Sequence, residues 1–142
     1  MDTAAQNILE KKIGRLREYM SKLSPYVALP NDAIMTNQDK LLAMERSFQL
    51  VVDEAIDINA LVSYQLGGKV SDSYKSTFYE LVPLGIVEQS FADVISESAK
   101  VRNQLTHDYD KLSQTEIVSS IKRFFELYKT YLDKLIKRFI VQ

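Results

Sequence analysis

The chain has 142 residues, of which 46% are hydrophobic, and its formal net charge at pH 7 is -1. This is the size of one ordinary domain with enough apolar residues for a core, and the near-neutral charge excludes a protein that is strongly basic as a whole. Because the chain contains no cysteine, disulfides and thiolate metal sites are also excluded.

The charges are unevenly distributed along the chain. Residues 31–110 carry six lysines and arginines against thirteen aspartates and glutamates, whereas residues 111–142 carry seven against three. The basic C-terminal region is therefore a candidate phosphate-attracting face or one half of a complementary dimer contact, and solvated helix surface is the alternative. The sequence has neither a signal-peptide pattern nor an uninterrupted apolar run of about 18 residues, so we expect a cytoplasmic protein without a membrane segment.

Apolar residues recur at helical spacing throughout, which predicts an all-α protein. The first helix should begin near Asp2 or Thr3 and end at SPYVALP, with Gly14 as a weak interior point. Its apolar stripe consists of Leu9, Ile13, Leu16, Met20 and Leu23.

A long second helix should begin near Thr36 or Asn37 and end at LGGK, where both glycines can take left-handed conformations. Its apolar positions are Leu41, Met44, Phe48, Val51, Val52, Ala55, Ile58 and Val62. A short helix around DSYKSTFYELV should end before Pro83.

A fourth helix should follow Gly85, and the fifth has the clearest start signal, SQTE, in which Ser113 can cap the helix and Glu116 can return a hydrogen bond. The expected buried positions of the fourth helix are Val87, Phe91, Val94, Ile95, Val101 and Leu105. Those of the fifth are Ile117, Ile121, Phe124, Tyr128, Leu132, Leu135 and Phe139. Four long helices and a short one predict an antiparallel four-helix bundle that forms a single domain over residues 1–142.

The chain's only histidine lies in KVRNQLTHDYDKLS, at the predicted junction of the fourth and fifth helices. Arg102 and Asn103 precede His107, and Tyr109 follows it. In a continuous helix, Asn103 and His107 would share a face, whereas Arg102 would lie roughly 140° from His107 around the axis. We expect the helix to break between Asn103 and Asp108, which would bring Arg102 and His107 to one phosphate.

The sequence RNQLTHDY resembles the R-x4-H-x-Y motif of the HEPN domain family, in its HepT-like toxin branch. The resemblance extends over nearly the whole chain and includes ERSFQLVVDEAIDINALV on the second helix. It implies a metal-independent endoribonuclease toxin that needs no cofactor, acts on RNA as a homodimer, and is neutralised by a nucleotidyltransferase (MntA-like) antitoxin. Catalytic roles are implied for Arg102, His107 and Asn103, and AMPylation is implied for Tyr109.

The residue types of this motif suit RNA cleavage without metal. The reaction removes a proton from the 2′-hydroxyl, neutralises charge on the phosphate and protonates the leaving oxygen. His107 can transfer protons, Arg102 can bind phosphate oxygens, and Asn103 can orient the histidine or the substrate. A helix-capping His107, a Tyr109 that packs on the core, and a non-catalytic HEPN binding module that partners a nucleotidyltransferase are the alternatives.

Three acidic residues of the second helix, Asp53, Glu54 and Asp57, have a spacing that a metal pair could use. With no second histidine available, we expect solvated surface for Asp53 and an inward arginine or tyrosine partner for Asp57. A metal site is therefore not predicted.

The aromatic residues of the fifth helix are expected to pack in the core or in a dimer contact: Phe124, Phe125, Tyr128 and Tyr131. Stacking of RNA bases on Tyr128 or Tyr131 is the alternative. Candidates for cations that follow an RNA backbone are Lys122, Arg123, Lys129, Lys134, Lys137 and Arg138.

Overall fold

The structure is a computed structural model that describes residues 1–69, 71–107 and 113–140, the side chain of His107 excepted. Over these ranges the chain forms helices and no strands, so the predicted all-α fold is confirmed. The helices are α1 (Thr3–Val27), α2 (Asn31–Met35), α3 (Gln38–Gln65), α4 (Ser76–Tyr79), α5 (Gln89–Ile95), α6 (Glu97–His107) and α7 (Gln114–Phe139). Among them, no helix is long and apolar enough to cross a bilayer.

The first helix begins where its capping residue predicts. The Asp2 carboxylate accepts a hydrogen bond from the backbone N–H of Ala5 at 2.7 Å, which satisfies one of the unpaired donors of the first turn. The buried residues of α1 are the five predicted ones and Ala5. The helix continues through Pro25 to Val27, two residues farther than a stop at the proline would give.

The third helix is capped by Asn37, whose side chain accepts from the Lys40 N–H at 3.1 Å. At its C-terminal end only Gly67 is left-handed, with φ at 77°, so the same expectation for Gly68 is wrong. Gly68 is needed for another reason: a Cβ there would lie 2.5 Å from Oγ of Ser63. The short helix α2, which precedes α3, is an addition to the predicted elements.

The predicted single fourth helix is wrong, because the chain forms α5 and α6 with a turn at Ser96 between them. The Ser96 hydroxyl donates to the carbonyl of Asp93 at 3.2 Å, and the Ser98 hydroxyl donates to that of Ile95 at 2.6 Å. Serine hydroxyls that bond to preceding carbonyls bend helices in this way. The turn leaves Val94 exposed, contrary to the prediction.

The burial of the other positions predicted for this segment is uneven. Val87 and Ile95 are buried, whereas Phe91, Val101 and Leu105 only pack against the edge of the core. Within α6 the fully buried residues are Ser98 and Ala99, near its N-terminal end.

The aromatic residues of α7 lie in the core, as predicted. Tyr128 and Tyr131 are 0% and 1% exposed, so the alternative that they stack RNA bases is wrong. The Tyr131 hydroxyl donates to Oδ1 of Asn59 at 2.5 Å, and the hydroxyls of Tyr128 and Ser98 hydrogen-bond at 2.7 Å. These bonds fix α7 against α3 and α6.

Side-chain pairs between helices give the direction of the bundle. Lys12 and Arg15 of α1 approach Asp57 and Glu54 of α3 respectively, so α1 and α3 are antiparallel. Gln6, near the start of α1, donates to the carbonyl of Phe139 at the end of α7, so this pair is antiparallel as well. The arrangement is compatible with the predicted four-helix bundle.

Candidate functional site

The best-defined motif residue is Arg102, which lies in the second half of α6 and faces α3. Its Nε donates to Oδ1 of Asp53 at 2.6 Å, and the two side chains are 15% and 36% exposed. The expectation that Asp53 is solvated surface is therefore wrong. The reason is tertiary: α6 packs on α3 at this point, so the carboxylate faces a cation that lies 49 residues away in sequence.

The expectation for Asp57 is also wrong. Its side chain is 62% exposed, and the cation that it pairs with is Lys12 at 3.9 Å, not an inward arginine or tyrosine. Asp57 lies one turn beyond Asp53 on α3, where Lys12 of α1 approaches it. Asp53 therefore has the arginine partner that was predicted for Asp57, and Asp57 has the exposed position that was predicted for Asp53.

Glu54 is the buried member of the acidic group. Its side chain is 8% exposed, and the nearest cation, Nε of Arg15, is 3.7 Å from Oε1, which is too far for a hydrogen bond. Burial raises the pKa of Glu54, and the charges of Arg15 and Lys12 partly offset that effect. Among the described residues, no group of three histidine, aspartate or glutamate side chains is placed to hold a metal ion.

The helix does not break between Asn103 and His107, the part of the expected interval that the structure describes. α6 continues to His107, and Oγ1 of Thr106 donates to the carbonyls of Arg102 and Asn103 within the last turns. No break therefore separates Arg102 from His107, because the backbone is helical from one to the other. The backbone positions of these two residues are roughly 140° apart around the helix axis.

Asn103 lies between those two positions on the helix surface. Nη1 of Arg102 donates to Oδ1 of Asn103 at 3.3 Å, so the guanidinium extends towards the face that Asn103 shares with His107. The side chain of His107, and Tyr109 as a whole, lie outside the described residues. The predicted roles of these four motif residues stay predictions.

An open cleft lies beside Arg102 and contains an aromatic residue that sequence reasoning missed. The guanidinium carbon of Arg102 is 5.4 Å from the centroid of the Tyr74 ring, within the range of a cation–π interaction. The cleft is lined by Asp53, Ile56, Asp57, Tyr74 and Arg102. The signal for Tyr74 is a lone aromatic residue in the polar segment SDSYKS, which the sequence pattern assigns to a short helix.

Among the basic residues of α7, Lys122 has a structural contact. Its Nζ donates to the carbonyl of Leu29 at 2.6 Å, which ties α7 to the segment between α1 and α2. Lys129 and Lys137 pair with Glu126 and Asp133 on their own helix. The prediction that the six cations follow an RNA backbone stays a prediction.

The sequence of this chain is similar to a known protein family and to a known nuclease. The family model described as ribonuclease HepT-like matches residues 16–135 of the chain. The tRNA nuclease HepT of Aphanizomenon flos-aquae is 26% identical over 128 residues, which cover 90% of this chain and 87% of that protein.

Solved structures share the fold. The structure of a tri-AMPylated Shewanella oneidensis HEPN toxin, in complex with MNT antitoxin, has a TM-score of 0.82 at 19% identity and covers 97% of this chain and 99% of its own. The cytosolic protein YutE of Bacillus subtilis has a TM-score of 0.78 at 15% identity, with coverages of 96% and 93%. The family match spans most of the helices described above, and its range covers the whole of α6. The chain belongs to the HepT-like ribonuclease family of HEPN proteins.

Proposed function

We propose that this protein is the endoribonuclease toxin of a toxin–antitoxin pair and that it cleaves RNA phosphodiester bonds without metal. The observation that carries the proposal is Arg102, a cation held by Asp53 at 2.6 Å beside an open cleft and followed on the same helix by Asn103 and His107. The similarity to the Aphanizomenon tRNA nuclease supports RNA as the substrate.

Arg102 is the group that neutralises charge on the scissile phosphate. A guanidinium has five N–H donors, and those given to Asp53 and Asn103 leave others for phosphate oxygens. The bond to Asp53 fixes the side chain before substrate binds, so less conformational entropy is lost when the phosphate arrives. Stabilisation by a prearranged cation is stronger than stabilisation by a mobile one.

His107 transfers the protons, and Asn103 orients the reacting groups. The 2′-hydroxyl must lose a proton and the leaving oxygen must gain one, and an imidazole near its usual pKa can do either. Because Arg102 and His107 lie roughly 140° apart on a continuous helix, we propose that two chains form a homodimer. The two His107 side chains then divide the acid and base roles between them.

The partner that we propose is a nucleotidyltransferase antitoxin of the MntA type, which transfers AMP to the hydroxyl of Tyr109. The solved Shewanella complex of an AMPylated HEPN toxin with an MNT antitoxin supports this partner. Tyr109 is two residues from His107 in sequence, so an AMP group there would place a charged phosphate and a purine next to the reacting residues.

A direct experiment is metal-independent RNA cleavage by the purified protein in excess EDTA. Arg102→Ala and His107→Ala should each reduce cleavage at least about 100-fold, since one removes phosphate stabilisation and the other proton transfer. Lys22→Ala is the control: Lys22 is exposed and paired with Glu18 on α1, so cleavage should not change. If both motif variants cleave as fast as the parent, or if EDTA abolishes cleavage, the proposed mechanism is wrong.

The dimer and the modification have separate tests. Sedimentation velocity at micromolar concentration should give the mass of two chains, and a monomer would contradict the shared site. Incubation with the cognate nucleotidyltransferase and ATP should add AMP to Tyr109, as located by mass spectrometry of peptides, and Tyr109→Phe should abolish the addition. Label on another residue with Tyr109 unmodified would reject the assignment.

A second function is a non-catalytic HEPN binding module that partners a nucleotidyltransferase, and it accounts without a dimer for the separation of Arg102 and His107. The continuous helix α6 keeps the backbone of Arg102 well away from that of His107 around the axis. A binding module would still accept AMP at Tyr109 but would not cleave RNA under any of these conditions. The cleavage assay with the EDTA arm and the AMPylation assay together distinguish the two functions.

A further inference from the structure

We propose that the cleft beside Arg102 binds one nucleobase of single-stranded RNA, stacked on Tyr74, with an amino group of the base donating to Asp57. The inference rests on the proposed ribonuclease function for the identity of the ligand as RNA. It adds a subsite and a base preference to that function.

The cleft has the size and the lining of a site for a single planar group. Its volume is about 280 Å³, just below the range of about 300 to 1,000 Å³ that is usual for larger ligands. Ile56, which is 7% exposed, contributes apolar surface to its lining, and Tyr74 contributes an aromatic ring. Arg102 also lines the cleft and lies over one face of the Tyr74 ring, so a base stacked on the other face would be adjacent to a phosphate bound by Arg102.

Tyr74 is accessible and is also held in place. Half of its surface, 50%, is exposed. Its carbonyl accepts from Oγ1 of Thr77 at 2.8 Å, and the following Lys75 pairs with Glu97 of α6 at 2.8 Å. Since the carbonyl of Tyr74 is hydrogen-bonded and the side chain of the next residue pairs with α6, the segment that carries the ring is positioned before a base stacks on it.

The charge of the cleft favours the base of a nucleotide over its phosphate. Two carboxylates, those of Asp53 and Asp57, line the cleft and would repel a phosphate there. Asp53 is engaged by Arg102, whereas Asp57 is 62% exposed and its pairing with Lys12, at 3.9 Å, is long. A carboxylate accepts hydrogen bonds from exocyclic amino groups such as N4 of cytosine, which uracil lacks. The site should therefore prefer cytosine to uracil.

Binding of RNA to the full chain carrying His107→Ala, which prevents cleavage, tests the proposal. Fluorescence anisotropy with labelled oligocytidine and oligouridine at one fixed salt concentration gives the two dissociation constants. Loss of one base stack corresponds to about 5- to 150-fold weaker binding, so Tyr74→Ala should weaken both complexes by that factor, while Tyr74→Phe should retain affinity. Asp57→Ala should remove the preference for cytidine, measured as the ratio of the two constants, because the ratio cancels the general effect of removing a negative charge.

Tyr64→Ala is the matched control. Tyr64 is another exposed tyrosine, 73% accessible, but it lines a different cleft on α3, so its loss should leave both dissociation constants unchanged. If Tyr74→Ala binds like Tyr64→Ala, or if the parent binds both oligonucleotides equally well, the proposed subsite is wrong. Cleavage that does not depend on Tyr74 would overturn the subsite and leave the ribonuclease function in place. Binding that depends on Tyr74, in a protein that cleaves no RNA, would overturn the ribonuclease function and support the subsite.

Discussion

Replacing Asp53 with alanine removes the carboxylate that binds the side chain of Arg102 on α6. The bond that is lost joins Oδ1 of Asp53 to Nε of Arg102 at 2.6 Å. The contacts of Arg102 with Asn103 and with the Tyr74 ring remain, so the arginine keeps its place on α6 but gains rotational freedom. Asp53 itself does not have to touch the substrate for this change to alter catalysis.

The exposure of the pair sets the magnitude of the effect. Arg102 is 15% and Asp53 36% exposed, so the pair lies between a surface ion pair and a buried one. Exposed pairs contribute about 0 to 1 kcal/mol, and hydrogen bonds to charged groups about 1.5 to 3 kcal/mol. We therefore expect Asp53→Ala to lower the free energy of unfolding by about 1 to 2 kcal/mol. If the same energy positions Arg102, RNA cleavage should fall about 5- to 30-fold, less than for Arg102→Ala.

A double-mutant cycle isolates the interaction from the other effects of each substitution. Urea denaturation of the parent, Asp53→Ala, Arg102→Ala and the double variant should give a coupling energy of about 1 to 2 kcal/mol. Asp133→Ala is the control: Asp133 pairs with Lys137 on the exposed face of α7, so its coupling to Arg102 should be near zero.

Two results would contradict the proposed role of the Asp53–Arg102 pair. One is a coupling energy between Asp53 and Arg102 that is no larger than the control value, which would mean that the 2.6 Å contact contributes nothing. The other is an Asp53→Ala variant that cleaves RNA as fast as the parent while the coupling energy is present. In that case the ion pair stabilises the fold without positioning Arg102 for the reaction.

Three further predictions concern stability and are measured by urea denaturation. Gly14→Ala should stabilise the protein by about 0.5 to 1 kcal/mol, because a Cβ there meets no atom within 4 Å and alanine is the better helix residue; a destabilised variant would contradict the open space. Burial raises the pKa of Glu54 above its ordinary value of 4.5, so the ionised form of this residue destabilises the fold as the pH rises above that value. Glu54→Gln should therefore be more stable than the parent at pH 7. The difference in stability should be smaller at pH 4.5. The reverse pH trend would be inconsistent with the burial of the carboxylate. Tyr131→Phe should cost about 1 to 3 kcal/mol, since it removes the hydroxyl that donates to the buried Asn59, and an unchanged stability would mean that this bond is dispensable.

The long helices could be predicted because their signals are local. Asp2, Asn37 and Ser113 cap the helices that follow them, and each cap depends on residues no more than three positions away. The apolar stripes of α1 and α7 likewise follow from a repeat that is visible in the sequence, except that Leu132 of α7 is only partly buried and not in the core as predicted. The division at Ser96 could not be predicted, because a serine hydroxyl can bond either to solvent or to a preceding carbonyl, and only the packed structure selects between them.

The site could be predicted only in part, because its geometry depends on contacts distant in sequence. The spacing of Arg102 and His107 identifies the motif, but the spacing alone does not reveal whether the helix continues between them. The partner of Arg102 is 49 residues away on α3, and the choice between Asp53 and Asp57 depends on where α6 crosses that helix.

The buried residues of α6 lie near its N-terminal end, so substitutions along the rest of the helix affect the core less. Ser98 and Ala99 are fully buried, whereas every side chain described from Lys100 to Thr106 is exposed or only partly buried. Most substitutions in that outer half remove little buried surface, so they lower the concentration of folded protein in the cell far less than changes in the core. Mutations there can therefore accumulate under weak selection and alter chemistry before they affect folding. The outer half of α6 is a segment in which new activities, or the loss of activity, can arise in a protein that is still abundant.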